Sequence, residues 1–339
     1  MFSARGLACA TAVAAMVLLA AGAAQAMVID TVGVGNVGNS ADTTGYGSVT
    51  YWYGIGKYEV TAGQYTEFLK KVAVTDTYGL YSTNMDTVVN SYGCNIKRTG
   101  ASGSYNYSVE SDWANRPVNF VSFGDAMRFA NWMHNEQPTG PQGLNTTEDG
   151  SYYLNGATTN AQLQAVTRKA EWWQWVVTSE DEWYKAAYHK KNDGTANHYF
   201  DYPTGSDSVP SNDIETNDPG NNANFYQSGY AIGSPYYRTE VGEFENSESP
   251  YGTFDQGGTV WEWNDTVIGG ARGLRGGSFR NSVDSLPAAY RSSSIPTSNS
   301  DVYGFRVSEV PEPATMAVLA LGSIGMLMRR RVAPRTDRP

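Results

Sequence analysis

Two apolar segments, one near each end, confine globular folding to the stretch between them. Residues 10–24 and 314–328 are each 15 residues long, shorter than the roughly 20 that span a bilayer as a helix. The first follows Arg5 and precedes the small-x-small site Ala24-Gln25-Ala26, as in a secretory signal cleaved after Ala26. A retained N-terminal anchor is the alternative. We predict a signal peptide at 1–26, a domain at 27–309 and a tail at 310–339.

The tail begins with two prolines, which prevent regular structure. Pro311, Glu312 and Pro313 precede the second apolar segment, and three arginines, 329–331, follow it. A basic cluster marks the cytoplasmic side, so this end is either an ordinary membrane anchor or a sorting signal removed after recognition. The arrangement is similar to the PEP-CTERM tails of Gram-negative bacteria. That resemblance implies an exosortase-type protease acting at Pro311-Glu312-Pro313, in addition to signal peptidase, and a location at the cell surface or in the extracellular matrix.

Charge excludes one class of partner for the part between the ends. Residues 27–313 hold 18 of the 24 lysines and arginines, because six arginines lie outside them, and 33 of the 34 acidic residues, because Asp337 lies outside them. A net excess of 15 negative charges excludes nucleic-acid binding, which needs a positive field. Acidic, oxygen-rich loops favour hard cations. The mature chain keeps one cysteine, Cys94, so it has no internal disulfide; Cys94 is either a buried small hydrophobe or an intermolecular pairing site.

Helix signals come early in this domain and strand signals late. Thr61, Ser122 and Ser179 are N-cap residues, and the last two have Asp125 and Glu182 three residues on, as in a capping box. Each cap is followed by apolar residues at helical spacing. Residues 250–307 contain short strand-like pieces separated by Gly and Asn. We predict one loop-rich α+β domain with short strands, about three helices and no βαβ repeat. Long polar segments at 74–116, 136–160 and 192–222 are typical of functional or ligand-supported loops.

Five segments in order carry a resemblance to a known family. They are GKYEVT (56–61), RPVNFVS (116–122), TSEDEW (178–183), GTVWEW (258–263) and LRGGSF (274–279), closed by Tyr290-Arg291 and GFRV (304–307). Together, over residues 50–308, they resemble the formylglycine-generating enzyme, or sulfatase-modifying factor, domain family. The resemblance implies a fold related to C-type lectins.

Several residues of these segments are candidate structural or binding groups. Extended backbone at 260–263 places Trp261 and Trp263 on one face, for a core, and Glu262 on the other, toward a polar site. Gly276 and Gly277 permit positive φ or close backbone approach, and Ser278 follows them. Three arginines near the strand pieces either bind a ligand or form structural ion pairs and stacks; they are Arg275, Arg291 and Arg306.

The activity after which the family is named uses copper on two thiolates, three and eight residues after the Ser of Gly-Gly-Ser. Those positions here are Asn281 and Leu286, and no cysteine follows Cys94. Soft thiolates are what Cu(I) requires, so no copper is expected. A second branch uses histidine-bound iron with an added helical domain, which this chain lacks, and its three histidines form no metal-binding motif.

Calcium is the cofactor that the resemblance still implies. The matching positions are the side chains of Asp255 and Glu262 and the carbonyls of Gly258 and Val260, an all-oxygen set that suits a hard cation. Alternatively, Asp255 caps a turn and Glu262 pairs with an arginine. A second family site would use Asn224 and Phe225, although its usual downstream Asp is missing.

Two functional hypotheses remain open. The first is a non-catalytic binding or structural module at the cell surface, contacting glycan, exopolysaccharide or a surface protein, because loops on a rigid scaffold present a variable surface. The second is a divergent formylglycine-generating-type oxidase or another metal-dependent enzyme. No Gly-x-Ser-x-Gly or phosphate-loop motif supports a further enzyme class.

Overall fold

The protein is described by a computed structural model over residues 26–169, 175–214 and 218–310. The predicted processing residues Pro311, Glu312 and Pro313 lie outside this range, whereas Ala26 is its first residue. Within the described residues, no helix is long and apolar enough to cross a membrane.

The three predicted helices begin at their predicted caps. The side chains of Thr61, Ser122 and Ser179 each accept a hydrogen bond from the backbone N–H three residues on, and the cap's own backbone N–H donates to that residue's side chain. The helices are α1 (Ala62–Val72), α2 (Ser111–Ala114), α3 (Phe123–His134), α4 (Asn160–Ala165) and α5 (Glu180–Tyr188). The expected number of about three is corrected to five among the described residues. The helices that the sequence reading missed, α2 and α4, have four and six residues, too few to show a 3.6-residue period.

Two four-stranded sheets lie at the centre of the fold. The strands are β1 (Thr31–Val34), β2 (Tyr53–Gly56), β3 (Lys97–Thr99), β4 (Asn106–Ser108), β5 (Trp175–Val177), β6 (Trp261–Ile268), β7 (Ala271–Arg275), β8 (Ser292–Ser294), β9 (Tyr303–Gly304) and β10 (Val307–Glu309). The first sheet has the order β1-β2-β10-β5 and the second β8-β7-β6-β9, while β3 and β4 pair separately. All pairs are antiparallel except β6 with β9. This mixed architecture agrees with the predicted α+β class. However, β1 and β2 precede the first helix, whereas the sequence indicated helices early and strands late.

An aromatic core joins the helices to the sheets. The ring of Phe129, on α3, lies 5.3 Å from those of both Phe68 on α1 and Phe305 beside β10. Edge-to-face rings at this separation add to the stability gained by burying apolar area. Cys94 is buried and unpaired among the described residues, which confirms its interpretation as a small hydrophobe. The core thereby holds β6 and β10, from which the candidate site is built, against rigid helices.

Candidate functional site

The turn before β6 brings together residues that are far apart in the sequence. Gly258 has a φ of +86°, and a Cβ there would lie 2.1 Å from the carbonyl oxygen of Asn224, so only glycine allows this approach. Thr259 N donates a 2.7 Å hydrogen bond to that same oxygen. Asn224 and Phe225, predicted for one calcium site, therefore lie directly against the turn predicted for the other.

Glu262 forms a buried ion pair that uses both of its oxygens. Arg306 Nε and Nη2 donate to Oε2 and Oε1 over 2.5 and 2.7 Å, and Trp183 Nε1 donates to Oε2 over 2.9 Å. Both partners of the ion pair are inaccessible to solvent. In this structure Glu262 is thus the partner of an arginine, and each of its oxygens already accepts a hydrogen bond.

Asp255 and Glu59 lie near this ion pair with few hydrogen bonds. Asp255 Oδ2 accepts a 2.6 Å bond from Gly242 N, and burial raises the pKa of Asp255 to about 6. Glu59, which the sequence reading overlooked, has no hydrogen-bond donor on either oxygen within the described part of the chain, and Arg306 lies 3.8 Å from its Oε2. Burial, then the negative charges of Asp255 and Glu262, raise the pKa of Glu59 well above its usual range. Three carboxyl groups, those of Glu59, Asp255 and Glu262, therefore lie near the single guanidinium of Arg306.

Unsatisfied oxygens also occur around the turn. Among the residues that the structure describes, none donates a hydrogen bond to the buried Asn222 Oδ1, Asn224 Oδ1 or Thr259 Oγ1. Asn222 and Asp255 line a small cavity of about 10 Å³, close to the volume of one water-sized sphere. Buried oxygens without donors suit a hard cation. No cluster of three or more His, Cys, Asp or Glu side chains is arranged around a metal position in 26–169, 175–214 and 218–310, so a cation here would need amide and carbonyl ligands as well.

The other candidate arginines form structural ion pairs. Arg275 Nε and Arg291 Nη2 bind the two oxygens of Glu180 over 2.8 and 2.5 Å. Both guanidinium groups lie over the ring of Tyr46, 4.8 and 4.9 Å from its centroid. In this structure both arginines therefore form an ion pair and stack on an aromatic ring.

The glycines and tryptophans of the motif are also structural. A Cβ on Gly276 would lie 2.5 Å from Gln256 O, and Gly277 has a φ of +78°, as expected for residues that only glycine tolerates. Trp263 is buried in the main core, and its Nε1 donates to Val121 O over 3.0 Å. Trp261 packs in the same core, which confirms the predicted role of both indoles.

The positions of the family's copper ligands serve other purposes in this chain. Asn281 Oδ1 accepts hydrogen bonds from Trp261 Nε1 over 2.9 Å and from Ser278 Oγ over 2.5 Å. Leu286 is fully buried in a small apolar cluster with Ala223 and Phe225. Neither the amide of Asn281 nor the isobutyl group of Leu286 is the soft thiolate that Cu(I) requires.

A surface of aromatic rings borders Asn281. We call Tyr92, Tyr226, Tyr230, Tyr237 and Phe279 the tyrosine face. Neighbouring tyrosine rings lie 4.6 to 5.3 Å apart, and the buried Phe279 ring supports them from 6.0 to 6.1 Å. Tyr226 is 43% exposed and the other three tyrosines are half-buried. The sequence reading missed this surface, although the Tyr-x-x-x-Tyr spacing around a Ser-Gly turn at 226–230 is a hairpin signal.

Two solved structures share this architecture. CarF is 24% identical over 84% of this chain and 99% of its own, with a TM-score of 0.54. Treponema denticola variable protein 1 is 18% identical over 85% of this chain and 99% of its own, with a TM-score of 0.51. These likenesses establish the fold alone. No curated protein sequence matches the chain.

Family profiles match nearly the whole sequence. The PEP-CTERM protein-sorting motif matches residues 309–331, which indicates export, C-terminal membrane anchoring in Gram-negative bacteria and processing by exosortase-type sorting machinery. The profile of the sulfatase-modifying factor enzyme 1-like domain matches residues 6–310. This exported chain therefore belongs to the sulfatase-modifying factor, or formylglycine-generating enzyme, domain family.

Proposed function

We propose that this protein is a non-catalytic binding or structural module, displayed at the cell surface on a scaffold related to C-type lectins. In its mature form it would comprise the domain 27–309, freed of its signal peptide after Ala26 and tethered or released through the tail at 310–339. The anchoring that the sorting motif indicates supports display outside the cell. A rigid scaffold with long loops is suited to recognition.

The observation that carries this proposal is the set of contacts made by Asn281 and Leu286, the two positions at which the family has copper-binding thiolates. Asn281 Oδ1 already accepts two hydrogen bonds, and Leu286 is enclosed by apolar side chains. Restoring a copper site would require breaking the hydrogen bonds to Asn281 and opening the apolar cluster around Leu286. No cysteine follows Cys94 in the sequence, so a neighbouring residue could not substitute.

Calcium is proposed as a stabilising ion in the turn that contacts Asn224. The side chain of Asp255 and the carbonyls of Gly258 and Val260 would hold this ion, with Glu262 as the remaining implied ligand. A second ion would use Asn224 and Phe225, the site for which the usual downstream Asp is missing. The unsatisfied oxygen of Asn224 and the excess of carboxylate around Asp255 support this proposal. Glu262 is the weakest of the implied ligands, because Arg306 and Trp183 occupy its oxygens.

A paired assay on the full chain, purified in mild detergent, tests the proposed function. One arm incubates it with a cysteine-containing sulfatase peptide, copper, reductant and oxygen, and follows formylglycine by mass spectrometry. The other arm measures retention of the chain on immobilised envelope polysaccharide and protein. Retention without turnover is the expected result. Formylglycine formed in proportion to the chain would overturn the proposal.

A further inference from the structure

The rings of the tyrosine face are held in place by buried polar side chains. Arg238, which is inaccessible to solvent, donates from Nη1 to Tyr92 O and from Nη2 to Gly93 O, each over 2.8 Å. Asn119 Nδ2 donates to Tyr92 O over 2.8 Å as well. The segment bearing Tyr92 is therefore fixed against the segment bearing Tyr237, the residue that precedes Arg238.

The second part of the face is a short hairpin fixed to Asn281. Tyr226 N donates a 2.8 Å hydrogen bond to Asn281 O, and Tyr226 pairs with Tyr230 across the turn. Asn212 Nδ2 donates to the carbonyls of Phe225 and Gly229, each over 3.1 Å. The rings are thus ordered before any ligand arrives, which lowers the entropic cost of binding.

The chemistry of this surface is amphipathic and nearly uncharged. The ring of Tyr226 is exposed, and the hydroxyls of Tyr226 and Tyr237 and Asn281 Nδ2 have no hydrogen-bond partner among the described residues. At its edge Arg280 lies over the Tyr92 ring and is paired with Asp301, and behind it the buried Arg238 lies 5.8 Å from the centroid of the Phe279 ring. A ligand would meet flat apolar rings surrounded by neutral donors and acceptors.

We propose that the tyrosine face binds a neutral hexose-based glycan, an inference that rests on the function proposed above and specifies its ligand. A hexose has an apolar C–H face that packs on an aromatic ring and peripheral hydroxyls that hydrogen-bond to phenols and amides. The mature domain's excess of negative charge repels polyanions, and Arg280 is already neutralised. An uncharged glycan therefore matches the surface better than a uronate polymer.

The test is a titration of the full chain in mild detergent with glucose, mannose and galactose hexasaccharides, with a polyuronate as the charged comparison. The test variant carries Tyr226→Ala and Tyr230→Ala; the matched control is Tyr153→Ala, a tyrosine 53% exposed elsewhere on the surface. Melting curves establish that both variants are folded. We expect at least one neutral hexasaccharide to bind, at least tenfold weaker binding by the double variant, and unchanged binding by the control.

Failure of this inference can be separated from failure of the proposed function. If no neutral hexasaccharide binds, or the double variant binds as tightly as the unmodified chain, the tyrosine face is not a glycan site. Retention on other envelope material would then leave the proposed function standing. Stronger binding of the polyuronate than of every neutral sugar would overturn the neutral ligand class. Formylglycine turnover alone would contradict the proposed function.

Discussion

The ion pair of Arg306 with Glu262 and the tyrosine face differ in solvent exposure and in hydrogen bonding. Around Arg306 the charges are buried, and both oxygens of Glu262 have donors. On the tyrosine face the rings are partly exposed, and polar atoms of Tyr226 and Asn281 have no partners among the described residues. The buried pair of Arg306 and Glu262 stabilises the scaffold, whereas the exposed polar atoms of the tyrosine face remain available for a ligand.

The largest effect is expected from breaking the buried network. Arg306→Met leaves Glu262 without its guanidinium in the interior, and we expect a loss of about 3–5 kcal/mol in the free energy of unfolding, measured by chemical denaturation. The matched control is Lys70→Met, which removes an exposed pair with Glu67 and should cost less than about 1 kcal/mol. A loss for Arg306→Met no larger than the control's would show that the ion pair does not support the scaffold.

Alanine substitutions at Asn281 and Leu286, where the family has its thiolates, should cost different amounts of stability. Leu286→Ala opens a cavity beside Phe225 and should cost about 2–5 kcal/mol of stability. Asn281→Ala removes hydrogen bonds at a half-buried position and should cost about 1 kcal/mol. Equal, negligible losses in denaturation curves would mean that Leu286 is not a packed core residue.

Removing calcium should lower stability by an amount that grows with the logarithm of the free calcium concentration relative to the dissociation constant. At a free concentration one hundred times the dissociation constant, a bound ion contributes about 2.7 kcal/mol, so exhaustive chelation should lower the melting temperature. Asp255→Ala removes a side-chain ligand of the first proposed site and should reduce the difference in melting temperature between chelated and calcium-loaded samples. An unchanged melting temperature of the unmodified chain after chelation would exclude the ion.

A smaller effect of about 1–3 kcal/mol is expected from the titration of Asp255 in calcium-free chain. Burial raises its pKa from 3.8 to about 6, so between these values the native state holds a proton that the unfolded chain has lost. Its contribution to stability therefore falls as pH rises from about 4 to about 6.

Asp255→Asn removes this titration. In pH-dependent denaturation the variant should lose less stability than the unmodified chain between pH 4 and 7 and be the more stable of the two at pH 7. Glu67→Gln, at an exposed position, serves as the control. Parallel pH profiles for Asp255→Asn and the unmodified chain would contradict the shifted pKa.

Local signals in the sequence were sufficient for some elements and not for others. The caps Thr61, Ser122 and Ser179 predicted three helices because a capping box is encoded within four residues. The strands β1, β2 and β5 have three or four residues and are defined by pairing with each other or with the distant β10. Their apolar patterns are too short to distinguish from loop.

Prediction of the site was limited for the same physical reason. The absence of copper ligands at Asn281 and Leu286 follows from the sequence alone, because residue type excludes the chemistry. The partner of Glu262 could be anticipated only as some arginine, since Arg306 is 44 residues away. The tyrosine face draws on residues from 92 to 279, and only tertiary contacts bring them together.

The metal content of the purified full chain tests the distinction between module and oxidase most directly. Elemental analysis by mass spectrometry, after exposure to both calcium and copper followed by gel filtration, should find calcium retained with the chain and copper far below one ion per chain. Copper retained at one ion per chain, without calcium, would contradict the assignment of a calcium-stabilised module that has no copper site.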